Sequence, residues 1–340
     1  MNGHRLRLGL FGANCSSGRT YASLPERWDA SWENNLRLAQ MADETGIECM
    51  VPIARWRGYG GASNPNGSSF ESIAWACGLL AATRRLRVFC TVHVPLHHPL
   101  VAAKQMATGD HIGRGRLGVN IVCGWNEDEF QMFGVTKKEH DARYAQGEEW
   151  WSIVKRIWAG EDRFDYEGAY YQLHAVEGAP RPFGDADPPM MNAGSSEAGR
   201  WFAIRHSDLH FDAVETPEAS TPRIAESKRL ARERGRDIQV WTPVVSSVAL
   251  PRRRPMTTSS TSSITPTGTR SGIWPACTRK RGAGRRILSF WCTAATIRSR
   301  AGRSRAAPTV SSAIPTRSCA SSPGSRRRAS TDWPSTSWTI

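Results

Sequence analysis

The chain has 340 residues and 45 Lys and Arg against 31 Asp and Glu, a formal charge of +14, and this length suffices for one large α/β domain or two ordinary ones. The charge is unevenly placed and excludes a basic globular body: residues 251–340 hold 17 Lys and Arg and one acid, Asp332, whereas residues 1–250 hold 28 basic against 30 acidic residues. No stretch approaches the roughly 20 apolar residues of a membrane span, and eight cysteines without a CxxC pair favour free thiols in a reducing cytoplasm over a disulfide frame or a zinc site.

The start, MNGHRLRLGLFGANC, places basic residues before an apolar run, but the run Leu8–Ala13 is too short for a secretory leader and reads as a first strand. Trp32, Leu36, Ala39 and Ala42 then mark one helical face. ECMVPIARW is a strand, SSFESIAWACGLLAAT a helix with Ser at its N-cap and Glu71 in its first turn, and LRVFCTVHVPL a strand. Pro99 opens the next helix, through about Thr108, because its missing N–H would lack a partner there anyway. GRLGVNIVC is the fourth strand, and YAQGEEWWSIVKRIWAG a long helix with Trp150, Val154 and Ile157 on its apolar face. FDYEGAYYQLHAV reads as an inserted hairpin. The alternation resumes with PPMMNAG, SSEAGRWFAIRHS, DLHFDAV, a charged helix near residues 217–235, and IQVWTPVVSSVAL.

Seven strands alternating with helices predict a parallel sheet with right-handed crossovers. The architecture this fits is a TIM (β/α)8 barrel that is one strand short at its C-terminus. From Pro251 on, Ser and Thr make up 31 of 90 residues and apolar periodicity is lost. One reading is a disordered basic tail; the other is translation out of frame. In a shifted frame Met256–Thr257 can encode only Asp and Trp274–Pro275 only Ala. With third bases free, residues 256–275 can then yield an acidic helix-like segment, and the last nine residues an eighth strand. The frameshift is the preferred reading, because the missing elements reappear where a barrel needs them.

Among the motifs, GRGRLG formally matches GxGxxG but precedes a strand, whereas the dinucleotide fingerprint follows one. His93, His97 and His98 lie close in sequence; without acidic ligands beside them they read as a polar rim at a strand end, so no metal is expected. The Arg-rich tail could contact nucleic acid, but little aromatic residue is interleaved with its charge and no known module is present, so that partner is disfavoured. Four strand ends carry polar and Gly residues: ARWRGYGG, TVHVPL, NIVCGWNEDE and NAGSSEAG. Such residues can simply turn the chain; four in succession at the C-terminal ends of barrel strands make one candidate pocket. The amide of Asn120 inside the apolar run LGVNIVC has no packing role in a strand and belongs to the same pocket.

The stretches ARWRGYGG, LLAATRRLRVFCTVHVPLHHPLVAAKQMATGDHIGRGRLGVNIVCGWNEDEFQMFGV, HDARYAQGEEWW and MNAGSSEAGRWFAIRHSD resemble, in order, the bacterial-luciferase-like flavin-dependent monooxygenases. Over residues 5–250 they are most similar to the branch with dimethyl sulfone monooxygenase, with alkanesulfonate monooxygenase and pyrimidine oxygenase as neighbours; deazaflavin F420-dependent reductases share the fold. The resemblance implies a TIM barrel and reduced FMN supplied by a separate NAD(P)H-dependent flavin reductase. It further implies reaction with O2 at the flavin C4a to give a peroxyflavin, which oxygenates a small organosulfur substrate with C–S cleavage.

By the same resemblance Asn120 would bond the flavin ring, with Glu129 beside it in the following loop. Ala54 and Arg55 match a flavin-contacting pair, Arg143 and Tyr144 the family's Arg-Tyr pair, and Ser196 its flavin-binding Ser; by their chemistry Arg143, Tyr144 and Ser196, with the N–H groups opening the helix after Gly194, can together hold a phosphate. Singly, these three also suit a surface cation, a core aromatic and an N-cap. Trp56, His93 and Trp125 are candidates for lining the dry pocket, with His93 placed to bond the oxygen species or substrate. A cytoplasmic location is expected and a homo-oligomer stays open. A barrel left open after Leu250 would expose a strand edge and leak its intermediate, so the chain as written is expected to be impaired.

Overall fold

The computed structural model describes residues 7–18, 27–184, 186–214, 216–248 and 288–295, all within one compact unit spanning residues 1–299. The order is β1 (Arg7–Phe11), α1 (Trp32–Thr45), β2 (Cys49–Val51), α2 (Ser72–Ala82), β3 (Arg87–His93), α3 (Pro99–Gly113), β4 (Leu117–Val122), α4 (Glu127–Met132) and α5 (His140–Ala159). It continues with a hairpin of β5 (Phe164–Glu167) and β6 (Gln172–Val176), then β7 (Met190–Asn192), α6 (Glu197–His206), β8 (Leu209–Phe211), α7 (Pro217–Arg232), β9 (Gln239–Val248) and β10 (Leu288–Ala295). Among the described residues no helix is long and apolar enough to cross a membrane.

The seven strands expected from the sequence form one parallel barrel wall in the order β1, β2, β3, β4, β7, β8, β9. The eighth position, between β9 and β1, is filled by β10, which runs antiparallel to both. This is not the eighth unit of a (β/α)8 barrel, yet it lies in the segment where no regular element was expected. The reason is visible in hindsight: LSFWCTAA is an apolar run inside the basic tail, and the two facing edges of β1 and β9 offer unpaired backbone groups to any strand-forming segment. The expected acidic helix at 256–275 and strand at the last nine residues lie outside the described residues.

Local chemistry sets the element ends. Glu71, expected in the first turn of α2, is instead its N-cap and accepts from the N–H groups of Ile73 (3.0 Å) and Ala74 (2.7 Å); a carboxylate there also complements the positive end of the helix. Two apolar layers hold the barrel. Outside, Trp75, Trp150, Trp158, Leu79, Leu80 and Met106 are fully buried between helices and sheet. Inside, Cys49, Val51, Phe89, Met191, Leu209 and Trp241 close the lumen, and Phe11 and Phe211 pack against them with their own ring centroids 5.1 Å apart and tilted by 41°.

Gly118 makes the inner layer possible. It sits opposite Phe89 in the β3–β4 register, and a methyl group on it would lie 2.5 Å from Phe89 Cε1. Gly118→Ala is therefore expected to cost about 1–3 kcal/mol by overpacking a lumen with no room for the ring to swing, read as a lower urea midpoint.

Candidate active site

In a strand, alternate residues share a face, so Phe89, Thr91 and His93 on β3 rise in line from the lumen floor toward the C-terminal mouth, and Gly118 and Asn120 do so on β4. Directly above Phe89, Thr91 donates its hydroxyl proton to Pro52 O at 2.7 Å. A carbonyl can only accept, so Thr91 Oγ1 is left as an acceptor, and it receives Asn120 Nδ2 at 3.1 Å. That chain fixes the polarity of the Asn120 amide. Its Oδ1 is buried and has no partner among the described residues, an arrangement that costs free energy unless something else satisfies it.

Glu129 is on the short helix α4, not in a loop as expected, and is 2% exposed. One oxygen accepts from Trp56 N (2.9 Å), Arg57 N (3.4 Å) and Arg55 Nη1 (3.4 Å). The carboxylate thus ties the loop after β2 to the loop after β4. Arg55 is buried by the same contact, bonds Tyr59 Oη at 2.8 Å and stacks between the rings of Tyr59 (4.7 Å) and Trp125 (4.9 Å), while its Nε lacks a partner among the described residues. Ala54 beside it is half-buried.

His93 Nδ1 stands 4.0 Å from the second Glu129 oxygen. Burial, then His97 and Arg55, push its imidazole down to about 3, so at neutral pH it is a neutral hydrogen-bonding group and this contact is not an ion pair. Because the folded imidazole resists a proton that the unfolded one takes up near 6.5, stability is expected to fall as pH drops from about 6.5 toward about 3. Urea midpoints at several pH values check this, with a flatter profile for His93→Gln.

The expected dry-pocket residues Trp56 and Trp125 are 40% and 54% exposed. They belong to a rim at the mouth, where Trp56 meets Phe133 edge to face at 5.0 Å. In the sequence Trp56 is followed by RGYGG and Trp125 by NEDE, turn residues that suit a rim and a pocket wall equally.

Arg143 and Tyr144, adjacent on α5, face different partners. Arg143 donates to Gly124 O after β4 and leaves its Nε buried and unpartnered among the described residues. Burial raises the Tyr144 phenol, and the Ser196 side chain opposes this. Ser196 caps α6 through Gly199 N at 3.2 Å. A methyl on Gly194 would lie 2.6 Å from both Gly199 Cα and Tyr144 Oη, so the loop after β7 is folded onto the first turn of α6 with room only for backbone. Such a turn presents N–H groups to an anion.

Two residues missed from sequence hold this loop. Asn192 Oδ1 accepts from Gly194 N at 2.9 Å, and His210 Nε2 bonds Gly194 O at 3.0 Å. His210 is 2% exposed, and burial outweighs the neighbouring Asp212 to lower its pKa. In DLHFDAV nothing marks His210 beyond its place in a strand. The strand ends therefore carry, among the described residues, an orphaned buried acceptor at Asn120, unpartnered guanidinium Nε atoms at Arg55 and Arg143, and a turn at Gly194–Gly199 folded onto the start of α6. This set suits a ligand with a polar ring system at one end and a phosphate at the other.

A family model described as luciferase-like monooxygenase matches residues 6–255. The FMNH2-dependent dimethylsulfone monooxygenase of Pseudomonas putida is 32% identical over 229 residues, 67% of this chain and 61% of that protein. The pyrimidine monooxygenase RutA of Serratia proteamaculans (strain 568) is 27% identical over 241 residues, 69% and 65% of the two chains. Among solved structures, DmoA from Hyphomicrobium sulfonivorans shares the fold with a TM-score of 0.60 at 17% identity, covering 70% of this chain and 59% of that one. The match thus spans 61% and 65% of the length of these two curated relatives.

Proposed function

The chain belongs to the luciferase-like monooxygenase family, and from that premise we propose that it is the oxygenase component of a two-component system using reduced FMN and O2 on a small organosulfur compound, a sulfone or an alkanesulfonate. The observation that carries the reading is the buried, unpartnered Oδ1 of Asn120, an acceptor aligned by Thr91. Asn120, Ala54 and Arg55 would together hold the ring, with Glu129 acting through Arg55. Arg143, Tyr144, Ser196 and the amides opening α6 would hold the phosphate.

Bound reduced FMN supplies the two electrons with which one atom of O2 enters the substrate and the other leaves as water. The chain's own part is to bind, orient and exclude water. His93, neutral at working pH, offers a hydrogen-bonding group rather than a cation at the mouth. Trp56 and Trp125 offer exposed indoles on which the alkyl group of such a substrate can pack. The organosulfur choice is supported by the higher identity to the dimethylsulfone monooxygenase than to RutA.

A flavin titration of the full chain, followed by flavin fluorescence, is expected to saturate. With a flavin reductase and NAD(P)H, a sulfone or sulfonate substrate should release sulfinate or sulfite. Absence of saturable FMN binding would overturn the reading, and turnover with reduced F420 instead would reassign the cofactor.

We infer also that residues 1–250 are the catalytic domain and that 251–340 are read out of frame. The support is the break in charge and composition at Pro251 and the antiparallel occupant of the eighth barrel position. Sequencing the codons for Leu250–Arg254 should reveal a gained or lost base; an unbroken frame in the native gene would sink the idea.

A further inference from the structure

His210 does nothing in the scheme above, yet it is buried beneath the loop proposed to carry the cofactor phosphate. It sits on β8 as the register partner of Asn192 on β7, and the two side chains hold the two peptides that flank the Gly194 Cα: Asn192 Oδ1 takes the N–H of the first and His210 Nε2 meets the carbonyl oxygen of the second. Since that oxygen only accepts, Nε2 carries the proton, and the tautomer is set by the bond it makes. Gly194 is in turn pressed against Gly199 and Tyr144 Oη. Its peptide orientation therefore decides where the following loop delivers Ser196 and the first N–H groups of α6.

We propose that His210 is a positioning residue for the phosphate end of FMN, acting through the Gly194 carbonyl rather than by touching the cofactor. The inference rests on the FMN reading. An anion cradle made of backbone N–H groups works only if those groups converge before the ligand arrives, because a loop ordered on binding gives up part of the interaction free energy. Removing the Nε2–H donor leaves the buried Gly194 oxygen unpaired and frees the peptide to rotate, while the ring-binding residues in the loop after β2 and on β4 are untouched.

The test compares FMN with riboflavin, which has the same ring system and ribityl chain but no phosphate. The unmodified full chain should bind FMN more tightly than riboflavin; if it binds neither, or both alike, the FMN reading fails and takes this inference with it. Given that preference, His210→Phe, which keeps an aromatic ring and removes the donor, is expected to weaken FMN about tenfold and leave riboflavin within about twofold. His210→Gln, whose amide N–H can take the place of Nε2–H, should restore most of the FMN preference, and His210→Leu, which also lacks the donor, replaces the phenylalanine variant if that one does not fold. Parallel losses for FMN and riboflavin, or an unchanged FMN affinity in His210→Phe with a native urea midpoint, would overturn the positioning role.

Discussion

Glu129→Leu is expected to destabilise the fold by about 3–5 kcal/mol. The side chains of Arg55 and Glu129 are only 4% and 3% exposed. Removing the carboxylate leaves a guanidinium in the interior with no counter-charge and strips the Trp56 and Arg57 N–H groups of their acceptor. Glu129→Gln keeps an acceptor but not the charge and should fall between. The double variant Arg55→Met, Glu129→Leu should recover much of the loss, since an apolar pair of similar volume avoids the desolvation of both ions. Urea midpoints of the four proteins decide it. A Glu129→Leu chain within about 1 kcal/mol of the parent would mean that the pair is open to water rather than closed.

Asn120→Leu is expected to behave in the opposite sense. Oδ1 has no partner among the described residues, so replacing the amide by an isosteric apolar group removes an unsatisfied buried atom. Thr91 keeps its bond to Pro52 O. Stability should stay level or rise, while FMN affinity falls about 30- to 100-fold, the range for losing a well-placed buried hydrogen bond and stranding its partner. This opposition separates a binding residue from a structural one: a local rule broken at a cost to the fold is where function is to be sought. Equal losses of stability and affinity would count against Asn120 as a ligand-facing residue.

Local pattern in the chain carried the seven parallel strands and their helices, because apolar period and caps are local properties that a parallel barrel leaves intact. It also marked Asn120, an amide inside LGVNIV, and Ser196, which stands before a helix and does cap it. It placed Glu71 inside the helix that it caps and Glu129 in a loop rather than on α4, since a carboxylate's role depends on which N–H groups reach it. Only the tertiary structure decided that Glu129 clamps residues 55–57, more than seventy positions away. Likewise, only the tertiary structure put Trp56 and Trp125 at an exposed rim, brought His210 to the Gly194 carbonyl and let a strand from the basic tail close the barrel backwards. Each of these is a contact between residues distant in sequence, fixed by register and burial. No local pattern encodes which distant partner fills an unpaired edge or an unpaired charge.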